Sequence, residues 1–136
     1  MRTIAAFPYL RLTHPLVGSS FQPMVEVILS FGSMSLRQAF FLDSGADISL
    51  IPASLGAALG LRRNVGEAAR VRGLSAERAD LSLVEVHLQI GQTREFPVRV
   101  GWLTDDRMPP LLGRLDVFDR LTFELNHERR MVIVKQ

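Results

Sequence analysis

The chain is expected to form an all-β, closed barrel-like domain with one or two short helices. Val84, Val86, Leu88 and Ile90 alternate with Glu85, His87 and Gln89, the period of a strand with one buried face. Further short apolar runs recur at hairpin spacing, separated by turns such as Phe31-Gly32-Ser33 and Gly91-Gln92-Thr93. Helical stretches, by contrast, are few and short, which argues for an all-β barrel-like domain, with a generic β-sandwich as the bland alternative.

Taken in order, residues 24 to 30 give the first clear strand, with Val25, Val27 and Leu29 on one face. The Phe31-Gly32-Ser33 turn leads to a second strand, Leu36 to Leu42, so the two form a hairpin. After Pro52, the Ala- and Leu-rich segment 53–61 reads as one or two helical turns ended near Gly60. Residues 62–80 are polar and basic, and Arg70-Val71-Arg72-Gly73-Leu74 within them is a strand-turn candidate. The alternating strand at 84–90 then turns at Gly91 into Phe96 to Val100. Leu121 to Leu125 and Met131 to Val134 flank Asn126-His127-Glu128-Arg129 as a closing hairpin. Residues 1–23, punctuated by Pro8, Pro15 and Pro23, receive no assignment, and disorder is expected only at the ends.

With 136 residues and 47% hydrophobic content, the chain is expected to be one domain spanning 1–136 that buries a core without staples. It has no cysteine, so disulfides, a thiolate nucleophile and a thiolate zinc site are all excluded. Its 16 basic residues are nearly balanced by 14 acidic ones, which gives no footprint for nucleic acid. The amino-terminal apolar stretch is too short for a signal h-region, and no run approaches the roughly 18 apolar residues of a membrane span. The expectation is a soluble, cytoplasmic protein without membrane contact.

The feature that points to chemistry is Phe40-Phe41-Leu42-Asp43-Ser44-Gly45-Ala46-Asp47. An apolar strand delivers a carboxylate into a turn, beside a hydroxyl and a glycine that lets backbone approach a ligand. Asp-Ser-Gly alone is weak, since all three residues are ordinary turn formers. Its flanks add weight: apolar Ile48-Ser49-Leu50-Ile51 follows, and far downstream Pro110-Leu111-Leu112-Gly113-Arg114 runs two aliphatics into a second glycine.

This pair of motifs resembles the retroviral-type, or retropepsin-like, aspartic proteases, over a motif core of about residues 24–125. The resemblance implies the acid-protease fold, with Asp43 as the catalytic acid, the Ser44 hydroxyl bracing the loop, the Gly45 backbone contacting substrate, and Ala46 supporting the site. It further implies an ion pair between Asp47 and Arg114, a structural role for Arg114, and Gly113 on a strand threaded beside the loop. A short helix over Arg114 to Arg120 would follow. The flap would fall at Arg72, Gly73 and Leu74, where Arg70 and Arg72 make a more basic tip than viral members carry.

Peptide hydrolysis of this kind needs two carboxylates, and Asp80, Asp105, Asp106, Asp116 and Asp119 all lack a following Ser/Thr-Gly. The resemblance therefore implies a homodimer that acts on a peptide or protein substrate, without metal or cofactor. The alternative is a catalytically inactive peptide-binding or dimerisation module on the same scaffold, and a bland one is a β-domain in which Asp43 sits at a turn. His14, His87 and His127 are too far apart in sequence to suggest a metal site. Ser44 lacks the Gly-x-Ser-x-Gly context of a nucleophile. Trp102 is read as a core residue in preference to a pocket wall.

Overall fold

The computed structural model describes residues 1–63, 67–72 and 78–136, with backbone alone for 67–72 and 78–79. Twelve strands and one short helix follow in order among the described residues. They are β1 (Thr3–Pro8), β2 (Leu10–His14), β3 (Gly18–Gln22), β4 (Met24–Phe31), β5 (Met34–Leu42), β6 (Ser49–Ile51), α1 (Ala53–Ala58), β7 (Glu67–Arg72), β8 (Arg78–Gln89), β9 (Phe96–Leu103), β10 (Leu111–Leu112), β11 (Thr122–Asn126) and β12 (Met131–Lys135).

The main sheet has the order β4-β5-β10-β6-β9-β8-β7, and β8 also pairs back onto β4 through Ile28↔Gln89, Leu29↔Leu88 and Ser30↔His87. That return closes a hydrogen-bonded ring, the expected barrel-like closure, which leaves few unpaired edges. Alternation fills it: Val25, Val27 and Leu29 of β4 and Val86 and Leu88 of β8 are wholly buried, while Glu26, Glu85 and His87 face outward. The β4–β5 hairpin turns on Gly32 and Ser33, and Gly32 has φ +56°, the conformation a two-residue hairpin turn needs and glycine adopts at no steric cost. β8 and β9 are longer than the alternation alone marks out, beginning at Arg78 and ending at Leu103.

Two departures from expectation stand out. The first 22 residues are ordered into strands. β1 pairs with β12, which pairs with β11, and Arg2 and Gln136 exchange backbone hydrogen bonds of 2.8 and 2.9 Å. Pro8 is tolerated because β1 lies at a sheet edge. β2 and β3 pair only with each other. The second departure is Arg114–Phe118, which is a wide irregular turn rather than a regular helix: Leu115 is extended and Asp116 has φ +63°. The Asp119 N–H reaches the Arg114 carbonyl at 3.1 Å across it.

Helix α1 covers the end of β9. Pro52 offers it no local cap, and Ser54 N–H instead donates to Asp106 Oδ1 at 2.8 Å, a side chain 52 positions away. Trp102 is 3% exposed, with its ring against Gly56, where a Cβ would collide with the indole. Its Nε1–H donates to the Ala53 carbonyl at 3.1 Å, and Arg63 stacks 3.5 Å from the ring centroid. Trp102 is thus a core residue, in keeping with its sequence reading.

Candidate active site

Asp43 sits where β5 ends, and the strand that fixes it comes from the far end of the chain. β10 runs parallel to β5, with Leu111↔Phe41 and Leu112↔Leu42, and antiparallel to β6 through Leu111↔Leu50. The Asp43 N–H donates to the Leu112 carbonyl at 2.9 Å. Beyond it the chain folds over itself: Gly45 N–H donates to Asp43 Oδ1 at 3.0 Å and Ala46 N–H to the Asp43 carbonyl at 3.1 Å. One carboxylate oxygen thereby holds the loop in shape. Asp43 is half-buried, whereas Ser44 and Gly45 are exposed.

The second motif clamps the other side of this loop. Arg114 N–H donates to the Ala46 carbonyl at 2.9 Å and Leu115 N–H to the Asp47 carbonyl at 3.0 Å. The Arg114 guanidinium spans the turn, donating from Nη1 to the Ser44 carbonyl at 2.7 Å and from Nη2 to the Asp47 carboxylate. Gly113 permits the approach, since a Cβ there would strike the Ile48 carbonyl and lie 2.9 Å from the Ala46 carbonyl oxygen. The structure therefore brings Asp43, Ser44, Gly45, Ala46, Asp47, Gly113 and Arg114 together.

Of the expected flap, Arg72 ends β7 and pairs with Arg78 at the start of β8. Gly73 and Leu74 lie outside the described residues. The β7–β8 pair reaches the site through Leu81 of β8. Leu81 packs with Leu50, Leu103 and Leu111, and half-buried Phe41, Ala46, Ile48 and Met108 lie against them. This second, smaller apolar cluster borders the Asp43 loop.

Two contributions escaped the sequence reading. Ser49 is fully buried, and its hydroxyl accepts the Gly113 N–H at 2.9 Å, pinning the second motif to β6. A lone serine inside Ile48-Ser49-Leu50-Ile51 was the available signal. Arg99 on β9 grips Asp116 with Nε to Oδ2 at 2.9 Å, Nη2 to Oδ1 at 3.0 Å and its own backbone N–H at 3.1 Å. Hydrogen bonding to Arg99 lowers the Asp116 carboxyl from its ordinary value, against a smaller opposing effect of burial. The fork holds Asp116 in its left-handed conformation two residues past Arg114. No sequence pattern links these two residues.

Two of the three histidines serve local structure: Tyr9 Oη lies 3.0 Å from His127 Nδ1, and His14 Nδ1 accepts two backbone N–H groups. Among the described residues, no three His, Asp or Glu side chains gather as metal ligands would, and no helix is long and apolar enough to cross a membrane.

Comparison with known proteins agrees with this geometry. A family model described as "Aspartyl protease" matches residues 30–114. No curated protein matches the chain. Among solved structures, a retropepsin-like aspartic protease from Rickettsia conorii aligns with TM-score 0.58 at 14% identity, covering 93% of this chain and 98% of that one. The EIAV protease complexed with the inhibitor HBY-793 aligns with TM-score 0.54 at 20% identity, covering 80% and 93%. The retroviral protease-like domain of Ddi1 from Leishmania major aligns with TM-score 0.51 at 19% identity, covering 82% and 92%. At these identities the likeness to solved structures establishes the retropepsin-like fold.

Proposed function

The chain belongs to the aspartyl protease family, and from that premise we propose that it is an endopeptidase in which two copies each supply one Asp43 to a shared site. The observation that carries this reading is the build of the Asp43 loop. A half-exposed carboxylate is held by Gly45 N–H at 3.0 Å, while Arg114, Leu115 and Leu112 hold its surroundings from a strand about 70 positions away. An ordinary turn has no need of such bracing.

Two carboxylates at about 3 Å share a single proton, the general chemistry of aspartic proteases. The ionised Asp43 takes a proton from a water between the pair. The protonated one donates to the scissile carbonyl oxygen, and the water oxygen bonds to the carbonyl carbon to give a gem-diol without a covalent enzyme intermediate. Activity follows a bell-shaped pH profile, with an optimum at acidic to mildly acidic pH, and its limbs belong to the pair rather than to either residue. Asp47 and Arg114 hold the loop without entering the reaction. The apolar surface of Phe41, Ala46, Ile48 and Met108 suits apolar substrate side chains beside the scissile bond.

The test is cleavage of a diverse peptide library across acidic to neutral pH, beside Asp43→Asn and a statine-type inhibitor. Cleavage lost with either control supports the reading. A dimer that binds peptides without cleaving them would leave a non-catalytic binding module in its place.

A further inference from the structure

We propose that the hairpin β2–β3 is an arm by which a second copy of this chain is gripped beside the Asp43 loop. The inference rests on the reading that two copies share a site. It starts from an energetic anomaly. A two-stranded hairpin alone is marginal in water, yet β2 and β3 pair with no third strand. Five of the eight large apolar side chains that are exposed among the described residues belong to this segment: Leu10, Leu12, Leu16, Val17 and Phe21. Phe21 lies on the face covered by Arg130, but the tip pair Leu16 and Val17, with Leu10 and Leu12 behind them, form an apolar projection of the kind that is covered in a working assembly.

The arm is built to be presented. Its root is fixed, with Tyr9 N–H on the Arg130 carbonyl at 2.8 Å and the Arg130 guanidinium 3.7 Å from the Phe21 ring centroid. Its tip is shaped from within: His14 Nδ1 accepts the N–H groups of Leu16 at 3.0 Å and Val17 at 3.2 Å, and Gly18 closes the loop at φ +81°. This preorganisation holds Leu16 and Val17 outward at 88% and 68% exposure. Leu10 and Leu12 share one face of the ladder with their cross-strand partners Gln22 and Ser20, whereas Phe21, paired with Arg11, lies on the other face.

Register identifies the occupant. Met24 at the start of β4 faces Phe41 of β5, two residues before Asp43, so the arm is rooted at the same end of the sheet as the catalytic loop. Five paired residues reach about 16 Å, while two Asp43 carboxylates must meet within about 3 Å. A second copy docked at that distance lies within the arm's span, and two-fold symmetry gives each copy the same grip. The strands nearest the two ends are already used inside one copy, since β1 pairs with β12. Among the described residues, the arm is an apolar element at this end that β1 and β12 do not cover, and the half-buried Phe41, Ala46, Ile48 and Met108 are left to substrate.

The test combines sedimentation over a wide concentration range with hydrogen exchange, using the whole chain, Leu16→Asp/Val17→Asp and, on the ladder face, Leu12→Glu. Circular dichroism confirms that each variant folds, and Asp43→Asn serves as the dimer control. The expected result is a dimer for the parent chain and for Asp43→Asn, with the dissociation constant raised about 10- to 100-fold by the tip variant. Amides of residues 10–22 gain protection as the dimer forms. Unchanged dimerisation of both arm variants, with cleavage still dependent on Asp43, overturns the arm and leaves the shared site standing. Protection of the arm only on adding peptide makes substrate the occupant and also overturns it. A parent chain that stays monomeric and inactive overturns both readings.

Discussion

Gly113 and Ile48 touch backbone to backbone: a Cβ at position 113 would strike the Ile48 carbonyl. The contact joins residues 65 positions apart in sequence, and it lets β10 thread beside the Asp43 loop closely enough for Arg114 and Leu115 N–H to reach the Ala46 and Asp47 carbonyls. Backbone cannot yield there as a flexible side chain would. Gly113→Ala is therefore expected to destabilise the fold by about 1–3 kcal/mol, the usual range for overpacking, and to abolish cleavage by displacing the loop. Urea unfolding alongside peptide turnover checks both effects.

Ser49→Ala should cost about 1–3 kcal/mol, because the buried Gly113 N–H loses its acceptor where no strand replaces it. Ser49→Thr retains the hydroxyl and is expected to recover part of the loss. A urea midpoint unchanged by Ser49→Ala would contradict this assignment.

Arg114→Lys should separate stability from catalysis. The side chains of Arg114 and Asp47 are 46% and 82% exposed, so their ion pair contributes under about 1 kcal/mol to folding. Lysine, though, cannot span the Ser44 carbonyl and the Asp47 carboxylate as a planar fork does. We expect little change in melting temperature and a fall in kcat of about tenfold or more, with KM less affected.

Acid should expose the Arg99 and Asp116 fork. Hydrogen bonding to Arg99 lowers the Asp116 carboxyl below its ordinary 3.8. A group depressed on folding adds stability that is fully present above its unfolded value and is lost as pH falls through the folded one. Arg99→Gln should therefore lower the melting temperature at neutral pH and differ less from the parent chain well below pH 3.8. Melting curves at the two pH values provide the comparison, and an equal gap at both would contradict it.

Local chemistry made much of this molecule legible. Valine and leucine alternation located β4 and β8, Gly32 marked the hairpin turn, and the Ala-Leu run ending near Gly60 marked α1. The two glycine motifs pointed to each other before any contact was visible. The N-terminal strands were not legible, because Pro8, Pro15 and Pro23 read as breaks, while β1 gains its partner from β12 at the other end of the chain. The short helix that the resemblance implied after Arg114 is likewise absent as a regular helix. Arg99 imposes the left-handed Asp116 from another strand.

By itself, then, the sequence determined the strand periods and the turns, which depend on neighbours a few residues away, and it singled out Asp43 as the candidate acid through a pair of glycine motifs. Tertiary structure alone decided that β10 lies parallel to β5 and that Ser49 meets Gly113. It likewise decided that Asp106 caps α1 and that β2 and β3 pair only with each other. These pairings join residues far apart along the chain, and their selection depends on which closed ring buries the most apolar surface while satisfying every buried backbone group.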